Sequence, residues 1–195
     1  SGYFSDVVAG IYWAVNGADD IYGTSDDFGA DAISLSLGTG APYTYKGFCD
    51  GVLPDLTNAV KYAVQKNVTV VVAAGNSGNS GVSIPGCISY STAVGAVNSS
   101  DKIASFSGRG SALDITAPGV SLYSSVLGSL YATWSGTSMA TPMISGVVAL
   151  VKNAHPAYTH SQIENKLFST AKDLGRAGKD KDYGWGRVRA DQAVQ

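Results

Sequence analysis

Histidine is scarce in this 195-residue chain: there are two, His155 and His160, and both stand in its last quarter. Charge is scarce too. Asp, Glu, Lys and Arg make up 14% of the residues, against roughly 25% in an average globular protein. With a net charge of -2 and no basic cluster, the chain has little attraction for phosphate backbones or anionic lipid, which argues against nucleic acid and membrane surfaces as partners. Long apolar runs are missing. The longest, around 68–74 and 144–151, fall well short of the roughly 18 residues that cross a bilayer, so a soluble chain is expected. Nothing resembling a Pro-rich, Gly/Ser-rich or charged linker interrupts the sequence, and 1–195 reads as one domain. Cysteine is limited to Cys49 and Cys87, each in a glycine-containing loop segment; a disulfide and two unpaired thiols are both compatible with that placement. The chain starts at Ser1 without methionine or signal peptide, the expectation being a mature form or a fragment.

What the chain does have is glycine, 24 residues, and a 45% hydrophobic content, the composition of buried elements joined by tight turns. Val8, Ile11, Tyr12 and Val15 recur at helical spacing, as do Leu56, Ala59, Val60, Ala63 and Val64 after Pro54, a residue suited to a helix start. Short β-branched runs follow each, at 32–36 and 68–74. This alternation predicts an α/β fold, a mainly parallel sheet flanked by helices. Further strands are predicted at 92–97, 113–116 and 121–125. Nearly every residue from Ser138 to Val151 is apolar or small, which predicts a helix buried on all sides. Two helices close the chain, the first opened by a Thr159/Gln162 capping box.

The chemistry concentrates at Ser135-Gly-Thr-Ser-Met-Ala-Thr-Pro142, where a glycine-flanked turn runs into that apolar helix. Free N–H groups and partial positive charge at a helix start favour negative charge developing on Ser138. Pro142 is expected early enough in the helix to cost no hydrogen bond. Alone, such a serine reads as an N-cap. A second element raises its interest: Val70-Val-Val-Ala-Ala-Gly-Asn76 is a buried strand ending in a glycine turn, and in open α/β sheets ligands bind beyond the carboxyl ends of strands. An asparagine there can donate to a tetrahedral oxyanion, although a lone turn asparagine more often exploits positive φ. Gly-x-Ser-x-Gly fails at Ala140 and Ser-x-x-Lys fails at Thr141, which sets aside the α/β-hydrolase and penicillin-recognising serines.

Taken together, these segments resemble the subtilisin family of serine endopeptidases. Gly136-Thr-Ser-Met-Ala-Thr-Pro142 is its nucleophile motif unbroken, Ser34-Leu-Ser-Leu-Gly38 is similar to its substrate-binding strand, and Ala73-Ala-Gly-Asn-Ser-Gly78 to its oxyanion-hole segment. Ala104-Ser-Phe-Ser107, Ala117-Pro-Gly119 and Tyr183-Gly-Trp-Gly186 also match. The resemblance implies Ser138 as nucleophile, an oxyanion hole from Asn76 and the Ser138 N–H, and Thr137 in support. It implies Ser36, Leu37 and Gly38 pairing with an extended polypeptide substrate, and Ala73, Ala74 and Gly75 lining the pocket for the side chain before the scissile bond. Ser1-Gly2-Tyr3 resembles an edge strand, making Gly2 a further substrate-binding candidate. Tyr123, Tyr131 and Trp134 are candidates for a hydrophobic pocket.

The resemblance departs at Met143 and Ile144, where the family usually has histidine and valine. A larger departure is the absence of the Asp-Thr/Ser-Gly and His-Gly-Thr-His segments that in this family precede the serine. The chain is similar to the C-terminal two-thirds of a catalytic domain, with the N-terminal part of the fold missing. The expected partner is an N-terminal fragment carrying Asp and His. Neither histidine present substitutes: along a continuous helix His155 would lie about 25 Å from Ser138, and His160 opens the next helix. The resemblance carries an expectation of secretion. No cofactor is required for the chemistry; calcium is conceivable at Asp19, Asp20, Asp26, Asp27 and Asp31, though their spacing does not fit an EF-hand and a solvated acidic loop reads better. For Ile84-Pro85, which aligns with a loop near the pocket, a cis and a trans bond are both open, trans being the statistical default.

Overall fold

The computed structural model describes residues 2–195. The chain opens with helix α1, Phe4–Asn16, and strand β1, Ala32–Leu35, followed by the short strand β2, Thr44–Tyr45. Helix α2, Pro54–Gln65, leads into β3, Thr69–Ala73, and then into β4, Val82–Ser83, and β5, Thr92–Val97. Strands β6, Ile115–Pro118, β7, Leu122–Val126, and β8, Leu130–Trp134, precede the long helix α3, Thr137–Ala154; α4, His160–Thr170, and α5, Ala190–Ala193, finish the chain.

A four-stranded sheet, ordered β1-β3-β5-β6, forms the centre, and every pair in it is parallel. Parallel strands covered on both faces bury alternate residues into two different cores. Val70 and Val72 of β3 enter a core with Ile11 of α1 and Leu56 and Val60 of α2. Val71 points the other way, into a core with Val94, Ile115, Ile144 and Val148 of α3, and Ile163 and Leu167 of α4. The predicted α/β architecture is the observed one. Thr159 and Gln162 form the capping box, with the Thr159 N–H donating to Gln162 Oε1 at 2.8 Å. Cys49 and Cys87 are disulfide-bonded, with Cα atoms 5.4 Å apart.

Three expectations are corrected. First, α3 is not buried all round: Ile144, Val148 and Val151 are fully buried, but Met143 is 42% and Leu150 52% exposed. Apolar composition on every side of a helix records no direction, so the open face was invisible in it. Second, β7 pairs antiparallel with β8 in a separate hairpin; the β8 segment was not predicted because its alternation is masked by Tyr131 and Trp134 on an exposed ribbon. Third, Gly2 and Tyr3 carry no strand pairing, Tyr3 being the extended residue that enters α1, while Ser1 lies outside the described residues. Of the two isomers open to Ile84-Pro85 the cis one is observed, as it is for Ala41-Pro42.

Candidate active site

The carboxyl ends of β1 and β3 and the first turn of α3 meet at one place. Ser36, Leu37 and Gly38 follow β1; Ala73 ends β3, and Ala74, Gly75 and Asn76 follow it; Thr137 and Ser138 begin α3. Around a cavity of about 410 Å³ stand Ser36, Leu37, Gly38, Ala73, Gly75, Asn76, Thr137 and Ser138. Ala74 is fully buried behind it, its N–H donating to the Val94 carbonyl. Gly2 is exposed and does not line it.

Asn76 is oriented by its neighbours. Its Oδ1 accepts from the Thr137 N–H at 3.0 Å and from the Thr137 hydroxyl at 3.1 Å. With the oxygen so engaged, the Nδ2 end, which carries two donors, remains for the cavity. The Thr137 side chain, fully buried, also accepts from the Gly75 N–H at 3.2 Å, tying the β3 turn to the helix start. Gly75 has φ +88°, and a Cβ there would sit 1.8 Å from the Ser83 Oγ, so only glycine allows the turn.

Ser138 occupies the second position of α3, where backbone N–H groups have no helical acceptor. Its hydroxyl donates to the Ser36 carbonyl at 3.3 Å, and the Ser36 hydroxyl donates to the Ser138 carbonyl at 3.0 Å. Pro142 explains the second bond and corrects the expectation that it costs nothing. It is the sixth residue of α3, and its missing N–H is the one that would have served the Ser138 carbonyl four residues earlier. Ser36 supplies the donor instead.

Beside Ser138 a second cavity, about 500 Å³, opens between the β7–β8 hairpin and the start of α3, with Tyr123, Trp134, Met139, Pro142 and Met143 among its walls. Tyr131 does not line it; it stacks on Tyr123 with ring centroids 5.4 Å apart. The sequence also failed to signal Ser83, buried behind the pocket glycines with its hydroxyl donating to the Thr39 carbonyl at 2.6 Å.

The histidines are remote. His155 ends α3 and stacks on Tyr158 at 4.3 Å; His160 lies between Thr69, 3.3 Å from its Nδ1, and Glu164, 3.2 Å from its Nε2. The acidic residues are each engaged by separate neighbours. Asp26 accepts from the Ala18 and Asp19 N–H groups and from Thr24, and those hydrogen bonds, the Thr24 hydroxyl first, hold its carboxyl below the ordinary value. Asp27 accepts from the Gly23 N–H, Asp20 from Asn16, and Asp31 faces Lys152 at 3.6 Å. Among the described residues no three metal-ligating side chains converge.

The profile of the Subtilase family matches residues 1–186. Subtilisin E of Bacillus subtilis (strain 168) is 38% identical across the whole of this chain, which spans 46% of that protein. M-protease of Shouchella clausii (strain KSM-K16) is 39% identical, with 45% of its length covered, and Subtilisin Savinase of Lederbergia lenta 38% identical, with 64% covered. The chain thus spans about half to two-thirds of the relatives it matches.

Proposed function

The chain belongs to the Subtilase family, and from that premise we propose that it is the nucleophile-bearing part of a secreted serine endopeptidase, with Asp and His contributed by an N-terminal segment outside residues 1–195. Its substrate would be unfolded or loop polypeptide laid along Ser36, Leu37 and Gly38. The observation that carries the reading is the Ser138 hydroxyl at the rim of a cavity into which the only uncommitted end of Asn76 is an N–H donor.

In the proposed reaction a histidine of the N-terminal segment removes the Ser138 proton as Oγ adds to the scissile carbonyl. Charge builds on the carbonyl oxygen, and the Asn76 amide and Ser138 N–H donate to it. The imidazolium returns the proton to the leaving amine as the C–N bond breaks. Water, deprotonated by the same histidine, then adds to the acyl carbonyl, and as the acyl C–Oγ bond breaks the imidazolium returns that proton to Ser138 Oγ, releasing the new carboxyl terminus. Thr137 holds the donor in place, and Ala73 and Gly75 line the pocket for the side chain before the scissile bond. No cofactor enters these steps.

Without a base the chain by itself would be close to inert, since loss of serine or histidine in subtilisin lowers turnover by about 10⁶-fold. A fluorophosphonate probe tests the proposal: Ser138 is expected to be labelled when the upstream segment of the same protein is mixed in, and far more slowly without it. Absence of labelling in the mixture refutes it. A second reading is a peptide-binding remnant that cannot cut. Intact mass of source material separates the two: a co-purifying smaller chain with His-Gly-Thr-His supports the peptidase.

A further inference from the structure

The most exposed large apolar side chain among the described residues stands at the tip of the β7–β8 hairpin. Leu127 is 96% and Leu130 64% exposed. Between them Gly128 and Ser129 take positive φ, +81° and +58°, which closes the strands in a tight turn, so the tip is a shaped apex. Behind it Tyr123 and Tyr131 lie diagonally across the pairs Tyr123–Thr133 and Ser125–Tyr131, stack with ring centroids 5.4 Å apart, and are 72% and 63% exposed. The whole hairpin falls within the stretch between Asp114 and Lys152, which holds no charged residue and no histidine. Exposed apolar patches of this kind mark contact with another surface. A rigid protein partner would need a deep concave site to receive so convex an apex, whereas a fluid surface closes around it. The order of side chains, leucine at the tip and tyrosine behind, is also the order in which residues settle from acyl chains to headgroups at a membrane interface.

We infer that the β7–β8 hairpin is a reversible lipid anchor: Leu127 and Leu130 enter the acyl boundary of an uncharged membrane surface, and Tyr123 and Tyr131 rest at headgroup level. Strand geometry sets the depth. At about 3.3 Å per residue the two rings lie roughly 3 and 10 Å behind Leu130, which matches the roughly 5–10 Å that interfacial elements penetrate. Low net charge removes attraction to anionic lipid, but apolar insertion needs no cation. Binding in this form depends on the hairpin alone; its consequence for substrate rests on the reading of Ser138 as a nucleophile. Trp134, the last residue of β8, borders the same cavity as Ser138, and the five residues of β8 span roughly 16 Å. An anchored hairpin therefore holds the cleft within a short reach of the lipid, and the substrate class becomes polypeptide tethered to, or emerging from, a membrane surface.

The experiment floats the full product of the gene with vesicles of phosphatidylcholine, alone or with phosphatidylglycerol mixed in. The parent is expected to float with both, and no better with the anionic ones. Leu127→Asp/Leu130→Asp is expected to lower binding by about tenfold or more, and Ile21→Asp, a control at a 60% exposed apolar residue elsewhere, to leave it unchanged. Amide exchange over residues 126–131 of the parent is expected to slow on vesicles, a readout that needs no variant. A parent that stays behind, a double variant that floats like the parent, or unslowed exchange overturns the anchor. Flotation with anionic vesicles only also overturns it, by giving the binding to charge, as does a dimer of the parent that the double variant loses while neither binds vesicles. Cleavage of a vesicle-tethered peptide is expected to fall about tenfold in the double variant, and that of the same peptide in solution to stay the same; equal rates on the tethered peptide refute the substrate class. Fluorophosphonate labelling of Ser138 is read in the same samples. Flotation as stated without labelling leaves the anchor standing and refutes the peptidase reading, and labelling without flotation does the reverse.

Discussion

Pro142 and Ser36 act on each other across 106 positions of sequence through one carbonyl oxygen, that of Ser138. Removing the Ser36 hydroxyl leaves this oxygen without its donor, so Ser36→Ala is expected to lower stability by about 1 kcal/mol, read as the urea midpoint with unchanged slope. Asn76→Ala tests the oxyanion role. In the reconstituted protein it is expected to reduce peptide turnover by about 10²–10³-fold, the cost of removing such a donor in subtilisin, and to lower stability by about 1 kcal/mol or more, because the Thr137 N–H and hydroxyl lose their acceptor. Equal loss from Asn76→Asp, which keeps the acceptor for Thr137 but offers no amide donor, would tie the effect to donation. These residues were readable in the sequence as types and spacings. The link between Ser36 and Ser138 was not: the missing proline N–H announces that some carbonyl needs a donor, but the donor is supplied from a different element.

Among the elements, those whose apolar period matches their final burial were the legible ones: α1, α2, β3, β5 and the capped α4. Legibility failed where a segment is exposed on both faces, as in β8, or too short to show a period, as in β2 and β4, which pair with each other through Thr44–Ser83 and Tyr45–Val82. The disulfide reinforces that small pairing by closing Cys49 onto Cys87 across 38 positions. In the chain-entropy picture a loop of this length contributes about 4 kcal/mol. Cys49→Ala/Cys87→Ala should therefore show a clearly lower denaturant midpoint than the parent, and addition of a reductant should shift the parent alone.

At the scale of the whole molecule, the C-terminal segment is tied back to the turn after β5. Asp101, after β5, receives Lys172 and Arg187 at 2.7 Å each, and the Lys172 hydrogen bond, followed by the Arg187 charge, holds its carboxyl below the ordinary value despite partial burial. A carboxyl lowered on folding adds stability above its unfolded value of about 3.9, and that stability is lost as pH falls through the folded value. Asp101→Asn is expected to be less stable than the parent at pH 6, the gap closing below pH ~3 in urea titrations; a gap independent of pH would refute the assignment. Asp114 works in the opposite sense: burial raises its carboxyl, and Lys179 at 2.8 Å only partly offsets this, so its contribution becomes less favourable as pH rises above about 3.9. By itself the amino-acid sequence determined the α/β class, the buried strands, and the serine, asparagine and glycine motifs, because periodicity and short-range turn chemistry are local properties. Only the tertiary structure decided which face of α3 is exposed, that β1 lies at the sheet edge among the described residues, and that Ser36 repairs the gap left by Pro142. Each of those depends on which surfaces meet across the fold, and a residue's neighbours in space are not recorded in its neighbours in sequence.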